Sequence, residues 1–243
     1  MKNYIPSLII GSAVVLGLWI LAGAYKYKFK AAETISVTGL AEKDFTSDLI
    51  VWSGSFNRYS YELKTAYAAL KQDEATIKLY LNSKGIADSN IVFSAVTTTK
   101  NYQRKYDKDG IEISSEFTGY TLTGSVRVES RDITRVEKLS REITELLEKG
   151  IELNSNPPEY FYTQLNELKI DLLAKASEDA KTRAETIARN SGGSLGGIKK
   201  ATMGVFQITG KNSNEDYSYG GAFNTSSREK TASITLKVDY LAE

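Results

Sequence analysis

The apolar and polar positions divide this chain into two unequal parts. From Ile5 to Tyr25 no position is charged, a run of roughly twenty residues that suits a single helix across a hydrocarbon core. Beyond it the apolar positions become periodic. Thr34 to Gly39 and Asp48 to Phe56 alternate as strands do, with Ile35 and Val37 on one face of the first. Leu63, Ala66, Tyr67, Leu70, Ile77 and Leu81 then recur at helical spacing, and Gly85 stops that helix. Ile91 to Arg104 and Glu112 to Glu129 form a long hairpin arm across Asp107-Lys108-Asp109-Gly110, a turn sequence. Asp132 caps a second helix carrying Ile133, Val136, Leu139, Ile143, Leu146 and Leu147, which Gly150 ends. A short extended piece, broken by Pro157-Pro158, leads to Tyr162.

The third helix of this part runs from about Leu165 to Asn190, with Gly192 and Gly193 after it. Ala176, Ala180, Ala184 and Ala188 repeat every fourth residue, a smooth stripe that lets the helix backbone approach a neighbour closely. Ile198 to Ile208 and Ala232 to Tyr240 supply the last strands. The expected fold is therefore α+β: antiparallel or mixed sheets packed with three helices, a long hairpin arm, and one transmembrane helix in front. Residues 1–30 form an anchor or uncleaved signal, and 31–243 an α+β domain. Lys84-Gly85-Ile86 and Lys149-Gly150-Ile151, each followed by a Ser-Asn pair, hint at two similar strand–helix–strand units.

The end of the apolar run has two readings. Ala22-Gly23-Ala24 resembles the small-residue site at which a leader is cut. Lys26, Lys28 and Lys30 resemble the charged collar of a helix that is kept. Ile5, Leu8, Leu21 and the interface-seeking Trp19 and Tyr25 are the anchor residues expected on the second reading, which we favour. Lys2 opposite three lysines gives only a weak bias toward a cytoplasmic body.

Composition narrows the chemistry. The chain has no Cys and no His, which removes disulfides, thiolate nucleophiles, zinc-thiolate sites and the usual triads. A formal charge of +1 gives no broad field for nucleic acid. Gly192-Gly193-Ser194-Leu195-Gly196-Gly197 follows a helix instead of opening one, so it is no phosphate loop. Gly210-Lys211 lacks the Ser/Thr of a Walker loop, and Asp107-Lys108-Asp109-Gly110 lacks the further ligands of a calcium loop. No catalytic, cofactor-binding or metal-binding residue is nominated, and the chain is expected not to be an enzyme. A carboxylate- or Ser/Lys-dependent enzyme and a small-molecule or lipid-binding domain are the alternatives. Tyr102, Tyr106, Phe117 and Tyr120 on the hairpin exceed background as contact residues, because tyrosine is enriched at interfaces. Gly210 to Lys230, rich in Asn, Ser, Gly and Tyr, reads as a mobile surface loop.

The order of several weak motifs resembles the SIMPL-domain family of bacterial envelope proteins. They are Ile35-Ser36-Val37-Thr38-Gly39-Leu40-Ala41-Glu42, Asp48-Leu49, Lys84-Gly85-Ile86 with Asp88 and Ile91, Gly119-Tyr120 before Val126-Arg127-Val128, and the alanine helix running into Gly192-Gly193-Ser194-Leu195-Gly196. Ser47 stands where the family usually has Pro. The resemblance implies an exported α+β domain, often self-associating and linked in some members to envelope stress, with no agreed catalytic residues. The expectation is a homo-oligomeric ring held in a bacterial inner membrane with its body in the periplasm. Leader cleavage would instead leave a soluble periplasmic protein.

Overall fold

The computed structural model describes residues 5–30 and 33–243. Its first element, α1 (Ile5–Lys30), is the apolar helix, with Leu8 to Tyr25 long and apolar enough to cross a membrane. Leu8, Trp19, Leu21 and Tyr25 are all exposed. The side chains of Ile5, Lys26, Lys28 and Lys30, and Lys2 altogether, lie outside the described residues.

The body is α+β, and both of its sheets are antiparallel. In the first, β1 (Thr34–Thr46) pairs with β10 (Glu229–Ala242), whose other side carries β8 (Leu195–Met203) and β9 (Gln207–Gly210). In the second the order is β3 (Ile91–Phe93), β5 (Glu112–Ser130), β2 (Leu49–Ser60) and β6 (Leu153–Ser155). Here β4 (Thr97–Tyr106) also pairs with β5, and β7 (Glu159–Phe161) with β2. Among the described residues the α-helices are completed by α2 (Leu63–Ser83), α3 (Ile133–Glu142) and α4 (Leu165–Asn190).

Each sheet has its own core. Helices α2 and α3 bury Leu70, Ile77, Leu81, Val136 and Leu139 against Trp52, Phe56, Val126 and Val128. On the first sheet α4 lays Ala176, Ala180 and Ala184, all fully buried, over Val37, Ile234 and Val238. Gly39 explains the alanines. A Cβ placed there would stand 2.1 Å from the carbonyl oxygen of Ala176 and 2.8 Å from the Cβ of Ala180. Strand and helix backbones thus meet almost directly, and neither side has room for a larger residue. The β1 edge is closed at the same place, because the Leu40 N–H, turned away from β10, donates to Asp179 Oδ2 at 2.8 Å.

Three expectations are corrected by this geometry. The strand expected over Ile91–Arg104 breaks at residues 94–96 into β3 and β4, where Ser94 bonds to Ser125 through backbone and side chain. The arm is shorter as a result, since Tyr120 to Ser130 of β5 belong to the sheet body and pair with β2. The second helix of the body passes into a 3₁₀ turn at Ile143–Lys149, and that tighter pitch rotates Leu147 out to 55% exposure. The strand expected over Ile198–Ile208 breaks at residues 204–206.

Candidate functional site

The arm is residues 101–119. At its root the ladder passes from Asn101↔Gly119 to Tyr102↔Phe117, so Thr118 is an extra residue, a bulge that re-aims both strands. Gly119 takes φ +147 there, and a Cβ would collide with Ser60 O and the Tyr59 ring. The Tyr59 hydroxyl donates to Thr118 O, and Asn101 Nδ2 donates to Thr121 Oγ1 at 2.7 Å. These bonds fix where the arm leaves the body. At its tip, Asp107 Oδ1 accepts from the N–H groups of Asp109 and Ile111, both at 2.9 Å, and Gly110 turns the chain at φ +78. That carboxylate is committed to the turn. Among the described residues no group of three or more His, Cys, Asp or Glu is placed to hold a metal ion.

The four candidate aromatics separate into two kinds. Phe117 is half-buried and edge-on to Tyr120, Tyr61 and Tyr102, with ring centroids 5.0, 5.4 and 5.7 Å away. Phe117 and Tyr120 therefore serve the chain's own packing, where such ring pairs contribute about 1 kcal/mol each. Tyr102 and Tyr106 are exposed, and so are Tyr61, Ile111 and Ile113, which the sequence reading did not single out. Ile113 is the extra residue of a second bulge, between Lys105↔Ser114 and Tyr106↔Glu112.

A second arrangement, not anticipated, lies between the sheets. Residues 211–228 fold back as an ordered flap. Gln207 Oε1 accepts from the N–H groups of Ser218 and Ala222, and its Nε2 donates to Ser218 O. Asn224 Nδ2 donates to Glu215, whose other oxygen accepts from Gly210 N–H at 3.1 Å. Beneath the flap, Lys230 on β10 is 2% exposed, donates from Nζ to Tyr160 O at 2.6 Å, and stands 5.9 Å from the centre of the Phe223 ring. Burial lowers its pKa to about 8, with Glu215 opposing that shift. Tyr160 donates its hydroxyl to Glu137 at 3.0 Å, and Arg228 stands 3.6 Å from the same carboxylate. Asp48 accepts from both the N–H and the hydroxyl of Thr163. A weakly basic amine is a potential nucleophile, but this one is closed off by β7 and the flap. Its geometry joins the two sheets.

The glycines at 192–197 also have a structural role. Gly192 ends α4 at φ +77, and Ser194 exchanges backbone hydrogen bonds with Glu243.

Compared with known proteins, residues 35–240 match the family model SIMPL, described as a protein of unknown function (DUF541). The chain belongs to that family. No curated protein matches it.

Proposed function

We propose that this SIMPL-family protein is a membrane-anchored interaction module that faces the periplasm, assembles with its own copies through the hairpin arm, and catalyses no reaction. The observation that carries this reading is the arm itself. Residues Glu112–Thr118 have only β4 as a ladder partner, and Tyr102, Tyr106, Ile111 and Ile113 stand exposed along it. A two-stranded ribbon of this kind is marginal alone in water, and a neighbouring copy would cover both its edges and its apolar side chains. One contact repeated head to tail gives a ring when the rotation closes. A role in envelope stress belongs to the same reading and rests on the family alone. Deleting Tyr102–Phe117 and joining the ends with a short turn tests it by light scattering in detergent. The mass should fall from that of the assembly to that of one chain; an unchanged mass removes the arm from the interface.

A second reading has a specific support. Two grooves of about 470 and 430 Å³ flank Val205, the first lined by Phe206, Ile208 and Phe223 and the second by Leu40, Tyr217 and Ile234. They would suit a lipid chain or a small apolar ligand. Native mass spectrometry of the protein extracted from its own membrane decides between the readings, since a co-purifying small ligand would favour the second.

A further inference from the structure

We infer that the arm's receiving surface is the outer edge of β8 on a second copy, to which Glu112–Thr118 of β5 adds as a further strand. The inference rests on the arm-mediated assembly proposed above and names the other half of the contact. Four long strand edges lack a ladder partner among the described residues: the outer sides of β1, β4 and β8, and the arm segment of β5. In the first sheet β1 is met in part from within and carries Glu42 and Asp44, which disfavour an acidic strand, and β9 is covered. Asp179 takes the Leu40 N–H of β1, and the flap covers β9 through Ile208 N to Ala222 O and Asn224 N to Ile208 O.

Charge selects among the other three. β4 carries Lys100, Arg104 and Lys105, and β8 carries Lys199 and Lys200, so these two edges repel one another and their own copies. The arm segment of β5 carries Glu112 and Glu116 and no cation. Lysines on an edge strand guard it against indiscriminate pairing, yet they favour an acidic strand. Arg104 of the same arm stands 3.5 Å from Glu112, which leaves Glu116 as the carboxylate without an ion pair among the described residues.

The faces of the two strands fit this pairing as well. On β8, Ile198 and Met203 lie opposite Tyr240 and Leu236, on the α4 side of the sheet. Helix α4 covers β1 and β10 but meets β8 only near Leu195, so Ile198 and Met203 are 64% and 54% exposed. A groove of about 630 Å³ runs there between Lys181 and Glu185 of α4 and Gly196 and Ile198 of β8. Lys200 and Thr202 point to the other face, opposite Asp239 and Lys237. On β5, Ser114 and Glu116 share one face and Ser115 and Phe117 the other, while Ile113 is an extra residue at a bulge between Glu112 and Ser114. A register that sets Glu116 against Lys200 therefore keeps its carboxylate on the polar face of β8, opposite the one that carries Ile198 and Met203.

Backbone direction supplies the test. Gly204 N–H bonds to Thr235 O, so alternation along β8 turns the N–H groups of Ala201 and Met203 outward. Ala201→Pro removes an outward donor and leaves the β10 ladder its partners. In the full chain in detergent it should lower the scattering mass to that of one chain. The chain has no cysteine, so introduced pairs report cleanly. Glu116→Cys combined with Lys200→Cys or Thr202→Cys should give a ladder of disulfide-linked multimers without reductant. Glu116→Cys with Met203→Cys, on opposite faces, should give none. If deleting the arm shrinks the assembly but Ala201→Pro does not and neither same-face pair links, the β8 edge is wrong and the arm interface stands. If the wild-type chain is itself a monomer, both fall.

Discussion

Lys230 carries an amine into a region that offers it one carbonyl oxygen and the face of one ring. Its pKa, lowered from 10.5 to about 8 by burial, ties stability to pH. Between those values the unfolded chain binds the proton and the folded chain does not, so stability rises with pH across that window and is lost as pH falls through about 8. The effect is on the order of 2–3 kcal/mol. Urea unfolding of the parent should therefore show a midpoint that climbs from pH 7.5 to 9.5, and in Lys230→Met that climb should vanish. Tyr160 does not confuse the reading, because burial raises its pKa. A midpoint that climbs equally in both proteins would mean that the amine is solvated. The sequence held a trace of this residue's position. Lys230 extends the alternation of Ala232, Ile234, Leu236, Val238 and Tyr240 by one step on the buried face. What it could not hold is Tyr160, seventy residues away, which makes burial of that charge tolerable.

Among the elements, α4 was the most legible and the arm the least. Residues Leu165–Asn190 follow from helical periodicity and from the glycines beyond, and the alanine stripe is buried along its length. Its reason lies elsewhere, in Gly39, where a helix carbonyl occupies the space of a side chain. Ala180→Leu should overpack this contact and cost about 1–3 kcal/mol, and Gly39→Ala should do similar harm from the other side. Thermal melting of both variants measures it, and parental midpoints would mean that helix and strand can separate at little cost. Strand ends were misjudged wherever local alternation continued but a partner did not. Thr97–Tyr106 keeps a strand's residues though only β5 binds it, and the Thr118 bulge leaves no mark in composition. The flap read as mobile because its Asn, Ser and Gly residues are those of loops. Its order comes from Gln207, Glu215 and Asn224 meeting at a distance, and pairing of that kind is invisible to periodicity.

For the whole molecule, the link between helix and body constrains the assembly. From Lys30 at the end of α1 to Glu33 before β1 the chain takes three steps, at most about 11 Å when extended. If α1 stays in the membrane, the Thr34 end of the first sheet is held close to the bilayer in every copy. The partners of that end are Leu241 on β10 and, through the register of β10 with β8, the Leu195 end of the receiving strand. In the assembly we propose, a head-to-tail contact about an axis normal to the membrane would place all anchors on one side, and a closed ring would satisfy every copy. A cleaved leader would remove this restraint and leave open filaments equally allowed. Retention of the helix is thus the premise on which the geometry of assembly depends. Intact-mass spectrometry of protein purified from its native membrane should find residues 1–30 present, and the sample should need detergent to stay dispersed. A mature N-terminus at Tyr25, directly after Ala22-Gly23-Ala24, would make the protein a soluble one and take away the reason for a ring.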